Sequence, residues 1–214
     1  IWHLFDGGNG SWHSALKNYD VESYSIGLDT ENKTSHFINL DLSDYSYFFG
    51  GSEFTELNKL PKPNIITASP PCESWSVATG MEKGNACWKE ENNNRFSVRP
   101  FIDYEKSRYN NEKQLVNRIN GELCIINTIK IINKSGPEVF IIENPAYGRI
   151  WDYIKCVLGF NINYENLTFY NNYGFPNKKP TKFGSNINLN LKHENIKAKL
   201  STADISGYNN RSDI

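Results

Sequence analysis

The chain has 214 residues and a mass of 24.6 kDa, the size of one domain able to close a substantial core. Hydrophobic residues at 38%, aromatics at 14% and charged residues at 22% exclude a disordered chain, and no apolar run approaches the roughly 20 residues that cross a bilayer. A net charge of -1 gives no global basic field, so any contact with nucleic acid has to be local.

The apolar runs are short and β-branched and alternate with helix-length polar segments, the pattern of a largely parallel α/β sheet. The first run, residues 1–5, carries His3 and leads into Asp6, and it reads as a buried strand rather than a signal peptide. Phe5-Asp6-Gly7-Gly8-Asn9-Gly10-Ser11 then sets an acid and three glycines between that strand and a helix expected over 11–19. Such a turn is either a plain tight turn or a loop that lets backbone amides approach a ligand and aims a helix start at it. Strands expected over 24–28 and 35–39 lead to Asp29 and to Asp41-Leu42. A nucleoside-binding α/β fold puts a carboxylate against ribose hydroxyls at the position of Asp29. Each acid alone is an ordinary cap or turn residue, but three at successive strand ends favour a nucleoside-containing cofactor.

A helix is expected over about 45–57 and a fourth strand over 64–68, followed by Ser69-Pro70-Pro71-Cys72-Glu73-Ser74-Trp75-Ser76. The two prolines stiffen the chain and present Cys72 at the sheet edge where ligands of such folds bind. A nucleophilic role for Cys72 requires a thiolate, hence a positive or hydrogen-bonding environment. Residues 77–111 lose the strand pattern and interleave Trp88, Phe96, Phe101, Tyr104 and Tyr109 with Lys83, Lys89, Arg95, Arg99, Lys106 and Arg108, which reads as an insertion or lid. A helix over 112–134 is expected to bury Leu115, Val116, Ile119, Leu123, Ile126, Ile129 and Ile132 and to stop at Ser135-Gly136-Pro137. A strand over 139–142 ends in Glu143-Asn144-Pro145; Glu143 is the general-acid candidate because burial raises a carboxyl pKa. A helix over 149–158 and a strand over 164–169 follow, and beyond Pro176 six lysines, among them Lys178, Lys179 and Lys182, face Glu194 alone before the last few residues.

The cysteines Cys72, Cys87, Cys124 and Cys156 form no CxxC pair and have no nearby His, which argues against zinc and for free thiols in a reducing, cytoplasmic compartment.

Taken together, these segments resemble the cytosine-5 DNA methyltransferases in the compact form found in phages. Phe5 to Ser11 looks like the cofactor loop, Asp29 the ribose acid and Asp41-Leu42 the adenine-contacting pair. Pro71-Cys72-Glu73-Ser74-Trp75-Ser76 is similar to the family's Pro-Cys-Gln-x-Phe-Ser, Glu143-Asn144-Pro145 to its Glu-Asn-Val, and residues 174–181 to its Gly-Val-Pro-Gln-x-Arg-x-Arg. The resemblance implies an S-adenosylmethionine-dependent, Rossmann-like α/β fold with a mostly parallel sheet and helices on both faces. It also implies one catalytic domain over 1–214, with the lid at about 77–111 and a basic segment at about 177–200. Cys72, Glu143 and Lys179 would be catalytic, and Phe5, Asp6, Gly7, Gly8, Asn9, Gly10, Ser11, Asp29, Asp41, Leu42 and Pro71 would bind S-adenosylmethionine. DNA would be the partner, its cytosine flipped out of the stack, attacked at C6 by Cys72 and methylated at C5, a modification that would protect phage DNA from restriction. Asn177, Lys179 and Thr181 stand where the family has Gln, Arg and Arg, and only about thirty residues follow, where the family usually carries a recognition domain. Two other readings compete: a methyltransferase-like binding protein that inhibits or decoys a host defence system, and an exocyclic-amine methyltransferase, against which Cys72 stands where a stacking aromatic belongs.

Overall fold

Short runs of Ile, Val, Phe and Trp suit a pleated surface covered by other side chains, and seven of them join in one sheet. The computed structural model describes residues 1–6, 11–28, 36–48, 55–76, 87–91, 94–105 and 110–197. In chain order these form β1 (Trp2–Leu4), α1 (Ser11–Ala15), β2 (Tyr24–Gly27), β3 (Phe37–Asn39), α2 (Thr55–Asn58), β4 (Ile65–Ala68), β5 (Trp88–Glu91), β6 (Asn94–Val98), α3 (Asn111–Ser135), β7 (Val139–Pro145), α4 (Ile150–Asp152), β8 (Tyr164–Phe169) and β9 (Pro180–Ser185). The sheet order is β3-β2-β1-β4-β7-β9-β8, with β5 and β6 paired as a separate antiparallel ribbon.

The five strands from β3 to β7 are parallel, and β9 runs antiparallel between β7 and β8. The chain steps outward from β1 to β2 and β3 and then returns to β4 on the other side of β1. In open α/β sheets that reversal marks the crevice, outside the carboxyl ends of the strands, where ligands bind. Asp6 follows β1, Asp41 follows β3, Cys72 follows β4, and Glu143 lies one residue beyond the Ala68↔Ile142 pairing of β4 with β7.

Where the structure departs from the pattern reading, packing explains the difference. β7 extends to Pro145 because β9 pairs with Glu143, Asn144 and Pro145, and β9 itself, opening on Pro180 and containing Gly184, has no strand-like run to reveal it. The helix expected over 11–19 ends at Ala15, and the one expected over 149–158 splits into α4 and a π-helical turn, Tyr153–Val157, in which Leu158 N–H donates to Tyr153 O at 3.1 Å. The described parts of 45–57 are a 3₁₀ turn at Tyr45–Phe48 and α2.

α3 stands where expected, capped by Asn110, whose side chain accepts from Lys113 N–H at 2.9 Å, and closed by Gly136 in the left-handed conformation at φ 56°. Its buried face differs, however. Leu115, Val116 and Ile119 are exposed, Val116 by 62%, while Gly121, Cys124, Ile125, Asn127, Thr128, Ile129, Ile131 and Ile132 are buried. The second half of the helix is apolar almost all round, so docking rather than periodicity selects the face.

Candidate functional site

Residues 69–76 leave β4 as a stiff, anchored turn. Pro70 and Pro71 fix φ, and a 3₁₀ turn at Glu73–Trp75 closes with Trp75 N–H donating to Cys72 O at 3.1 Å. Asn144, buried on β7, donates from Nδ2 to Pro70 O at 2.9 Å. Below the turn lies α3, and Gly121 is what allows the approach, since a Cβ there would lie 2.0 Å from Ser74 Oγ and 3.0 Å from Ser74 Cβ. Trp75 is fully buried against Trp88 at 5.5 Å and Tyr153 at 5.0 Å between ring centroids.

Glu143 reaches the same edge from β7. Burial pushes its carboxyl above the ordinary value, opposed by the nearby Lys179 charge and a hydrogen bond from Ser69. Its Oε1 is buried without a hydrogen-bond partner among the described residues, an arrangement that costs free energy until something accepts or donates there. Burial also pushes the half-buried Cys72 thiol up, reinforced by Glu73 and opposed by Lys179, with Glu143 adding to the rise. Cys72, Glu143 and Lys179 are thus brought close enough to influence one another. Lys179 is itself exposed, with Nζ 3.5 Å from the Tyr170 hydroxyl and 4.8 Å from the Tyr170 ring centroid.

The other thiols offer no rival nucleophile at this edge. Cys124, buried in α3, is pushed up to about 12 by burial; Cys87 is buried and also raised by burial; Cys156 is exposed beyond α4. None is in a disulfide.

On the β1 side, Asp6 is 4% exposed and accepts a hydrogen bond from Ser25 Oγ at 2.8 Å. Phe5 turns the chain with φ 63°, a left-handed conformation that costs a bulky residue about 1–3 kcal/mol, while its N–H donates to Ile26 O at 2.8 Å. Ser11 opens α1, and Gly7, Gly8, Asn9, Gly10 and Asp29 lie outside the described residues. Asp41 is exposed and its Oδ1 accepts from both the N–H and the hydroxyl of Ser43, whereas Leu42 packs into the core and its carbonyl accepts from Asn127 of α3 at 2.8 Å. Pro71 is half-buried beside Cys72. Carboxylates at the ends of β1 and β3 are hydrogen-bond acceptors, of the kind that suits a ligand bearing hydroxyls and a cationic amine.

The expected lid aromatics divide. Trp88 is fully buried, Phe96 packs edge-on to it at 5.6 Å, and Arg118 of α3 covers its ring at 4.0 Å, so this part of 77–111 is docked on the core rather than free to close over a base. Tyr104 and Arg99 are buried, Lys89 pairs with Asp103 at 3.4 Å, Phe101 is exposed, and Tyr109 lies outside the described residues. Gly121 and Arg149 were not singled out by the sequence. A glycine inside a periodic helix was a visible signal for the first; nothing local marked the second.

No protein-family profile matches the chain. It is similar to the orphan methyltransferase M.Rho11sI of Bacillus phage rho11s, 28% identical over an alignment of 147 residues that covers 65% of this chain and 27% of the phage protein. The likeness supports a methyltransferase. The chain matches about a quarter of that relative's length, and the mixed α/β architecture with its mostly parallel sheet is compatible with a Rossmann-like methyltransferase fold. No helix among the described residues is long and apolar enough to cross a membrane.

Proposed function

We propose that the chain transfers a methyl group from S-adenosylmethionine to C5 of a cytosine in DNA, through a covalent adduct between Cys72 and C6. The observation that carries this reading is the pairing of Cys72 and Glu143 at the carboxyl ends of adjacent parallel strands, with Glu143 Oε1 buried and without a hydrogen-bond partner among the described residues. The target carbon is inaccessible inside a duplex, so the cytosine enters the edge as an extruded base, at a cost of a few kcal/mol. Glu143, whose carboxyl burial pushes above the ordinary value, donates a hydrogen bond to ring N3 in its protonated form, which draws electron density from C6. The Cys72 thiolate adds to C6, and the electron pair of the C5–C6 bond moves to C5, making it nucleophilic. Phe5, Asp6, Ser11, Asp41 and Pro71, together with the Gly7 to Gly10 loop and Asp29, would hold S-adenosylmethionine, whose electrophilic methyl C5 would take, leaving S-adenosylhomocysteine. Transfer of the C5 proton to solvent restores the C5–C6 double bond and breaks the C6–S bond, expelling Cys72 as thiolate. Lys179 supports the thiolate and offsets the two acids beside it.

The second reading, a methyltransferase-like binding protein of low activity that inhibits or decoys a host defence system, is favoured by the raised Cys72 thiol and by Glu73 next to it. Incubation with duplex DNA carrying 5-fluorocytosine and S-adenosylmethionine separates the two. Fluorine blocks the final elimination, so a denaturing gel shows a protein–DNA band that Cys72→Ala abolishes. No band, with cofactor binding intact by calorimetry, overturns the transfer reading in favour of the binding protein.

A further inference from the structure

We propose that Arg149 is a positioning residue that clamps the exit of the Cys72 turn and thereby fixes the nucleophile relative to Glu143; its kinetic consequence rests on the cytosine-C5 reading above. Arg149 is 2% exposed, and a guanidinium taken out of water is costly unless its donors are used. Its backbone N–H donates to Trp75 O at 2.9 Å and its Nη1 to Ser76 O at 3.3 Å, so one residue holds two successive carbonyls. Gly148 brings the chain close, since a Cβ there would meet Trp75 O at 3.6 Å and Pro145 O at 3.3 Å, and its own N–H donates to Pro145 O at 3.1 Å.

The entrance of the same turn is held by Asn144 at Pro70 O. Residues 143–149 therefore deliver Glu143 and both grips on the loop that carries Cys72. The spacing of acid and nucleophile is set inside one hydrogen-bonded unit rather than across two independent loops. Glu73, Lys179 and Glu143 are charges that act on the Cys72 thiol, and the part assigned to Arg149 is its grip on the turn. Lysine keeps the charge and the backbone grip on Trp75 O but replaces the planar guanidinium whose Nη1 reaches Ser76 O.

The test uses the full chain with Arg149→Lys and Arg149→Met, each at a temperature where circular dichroism finds it folded. Three quantities are read: the first-order rate of adduct formation with 5-fluorocytosine DNA at saturating DNA and S-adenosylmethionine, the DNA concentration giving half that rate, and amide hydrogen exchange in the peptide containing residues 70–76. A nucleophile displaced by about 1 Å slows reaction about 10²-fold. Arg149→Met is expected to approach that loss at unchanged half-saturation, with faster exchange at the Trp75 amide, and Arg149→Lys to lie between it and the wild type. Wild-type adduct rate and exchange in both variants, or a rate loss matched by the loss of folded protein, overturns the clamp. If the wild type forms no adduct, the C5 reading fails, while the exchange arm still decides whether Arg149 holds the turn. If Arg149→Met does not fold, Arg149→Lys decides alone.

Discussion

Cys72 sits on a turn whose backbone is held from β7 and seated on α3, whereas Lys179, whose charge reaches the same thiol, extends from the β8–β9 connection and is steered by the hydroxyl and ring of Tyr170. The difference follows from what each group has to do. An attacking sulfur must lie within a fraction of an ångström of its path, while a charge acts through a field that declines gradually with distance. The chain invests buried backbone hydrogen bonds in the first and leaves the second on a long side chain in contact with water.

The harshest test of that contrast is Cys72→Ala, expected to remove the 5-fluorocytosine adduct completely on a denaturing gel while leaving the fold intact; a surviving band would transfer the nucleophile's role elsewhere. Next comes Glu143→Gln, which cannot hold and release the proton and is expected to lower methyl transfer to DNA by about 10²–10⁴-fold. The same variant has a stability signature. Burial raises the folded-state pKa of Glu143, so the folded chain keeps a proton that the unfolded chain has released. The stabilisation is present below the unfolded value, about 4.3, and is lost as pH climbs through the raised folded value. Urea midpoints measured across that range should fall less steeply in Glu143→Gln than in the wild type; parallel curves would mean the carboxyl is not desolvated.

Gly121→Ala probes the seat. Ser74 is buried and its Cβ as well as its hydroxyl lies in the way, so overpacking is expected to cost about 1–3 kcal/mol, a fall of about 2–4 °C in Tm per kcal/mol for a chain of this size. An unchanged Tm would show that the turn can lift off α3 freely. The smallest effect belongs to Lys179→Met. Removing a charge that lowers the thiol pKa shifts the pH midpoint of Cys72 alkylation upward, followed by mass spectrometry of its peptide. Because Lys179 is exposed, the shift should shrink as salt is raised. A midpoint that stays put would confine Lys179 to a surface role.

The strands that build the parallel half of the sheet were legible because each is an apolar run bounded by turn residues, and the placement of Cys72 and Glu143 at the ends of neighbouring strands was legible with them. The seat beneath them was not. The buried face of α3 is chosen by Gly121, Asn127 and Thr128, small or polar residues that a search for apolar periodicity passes over. The β5–β6 ribbon was hidden because Trp88 and Phe96 are set among charged residues, and their burial depends on meeting Trp75, Arg118 and Tyr153 from distant parts of the chain. Arg149 likewise has no local signature, since its partners are carbonyls more than seventy residues away.

The insertion of β9 between β7 and β8 also sets an order of assembly. β7 can pair with β4 as soon as Pro145 has left the ribosome, but its other side stays an open strand edge until Ser185 has been made, forty residues later by count. During that interval Glu143 lies on an unpaired edge able to template association with another chain. Slow or paused synthesis between these two points is therefore the stage at which nascent chains are most exposed to aggregation, and a chaperone that shields an extended edge there should raise the yield of folded protein.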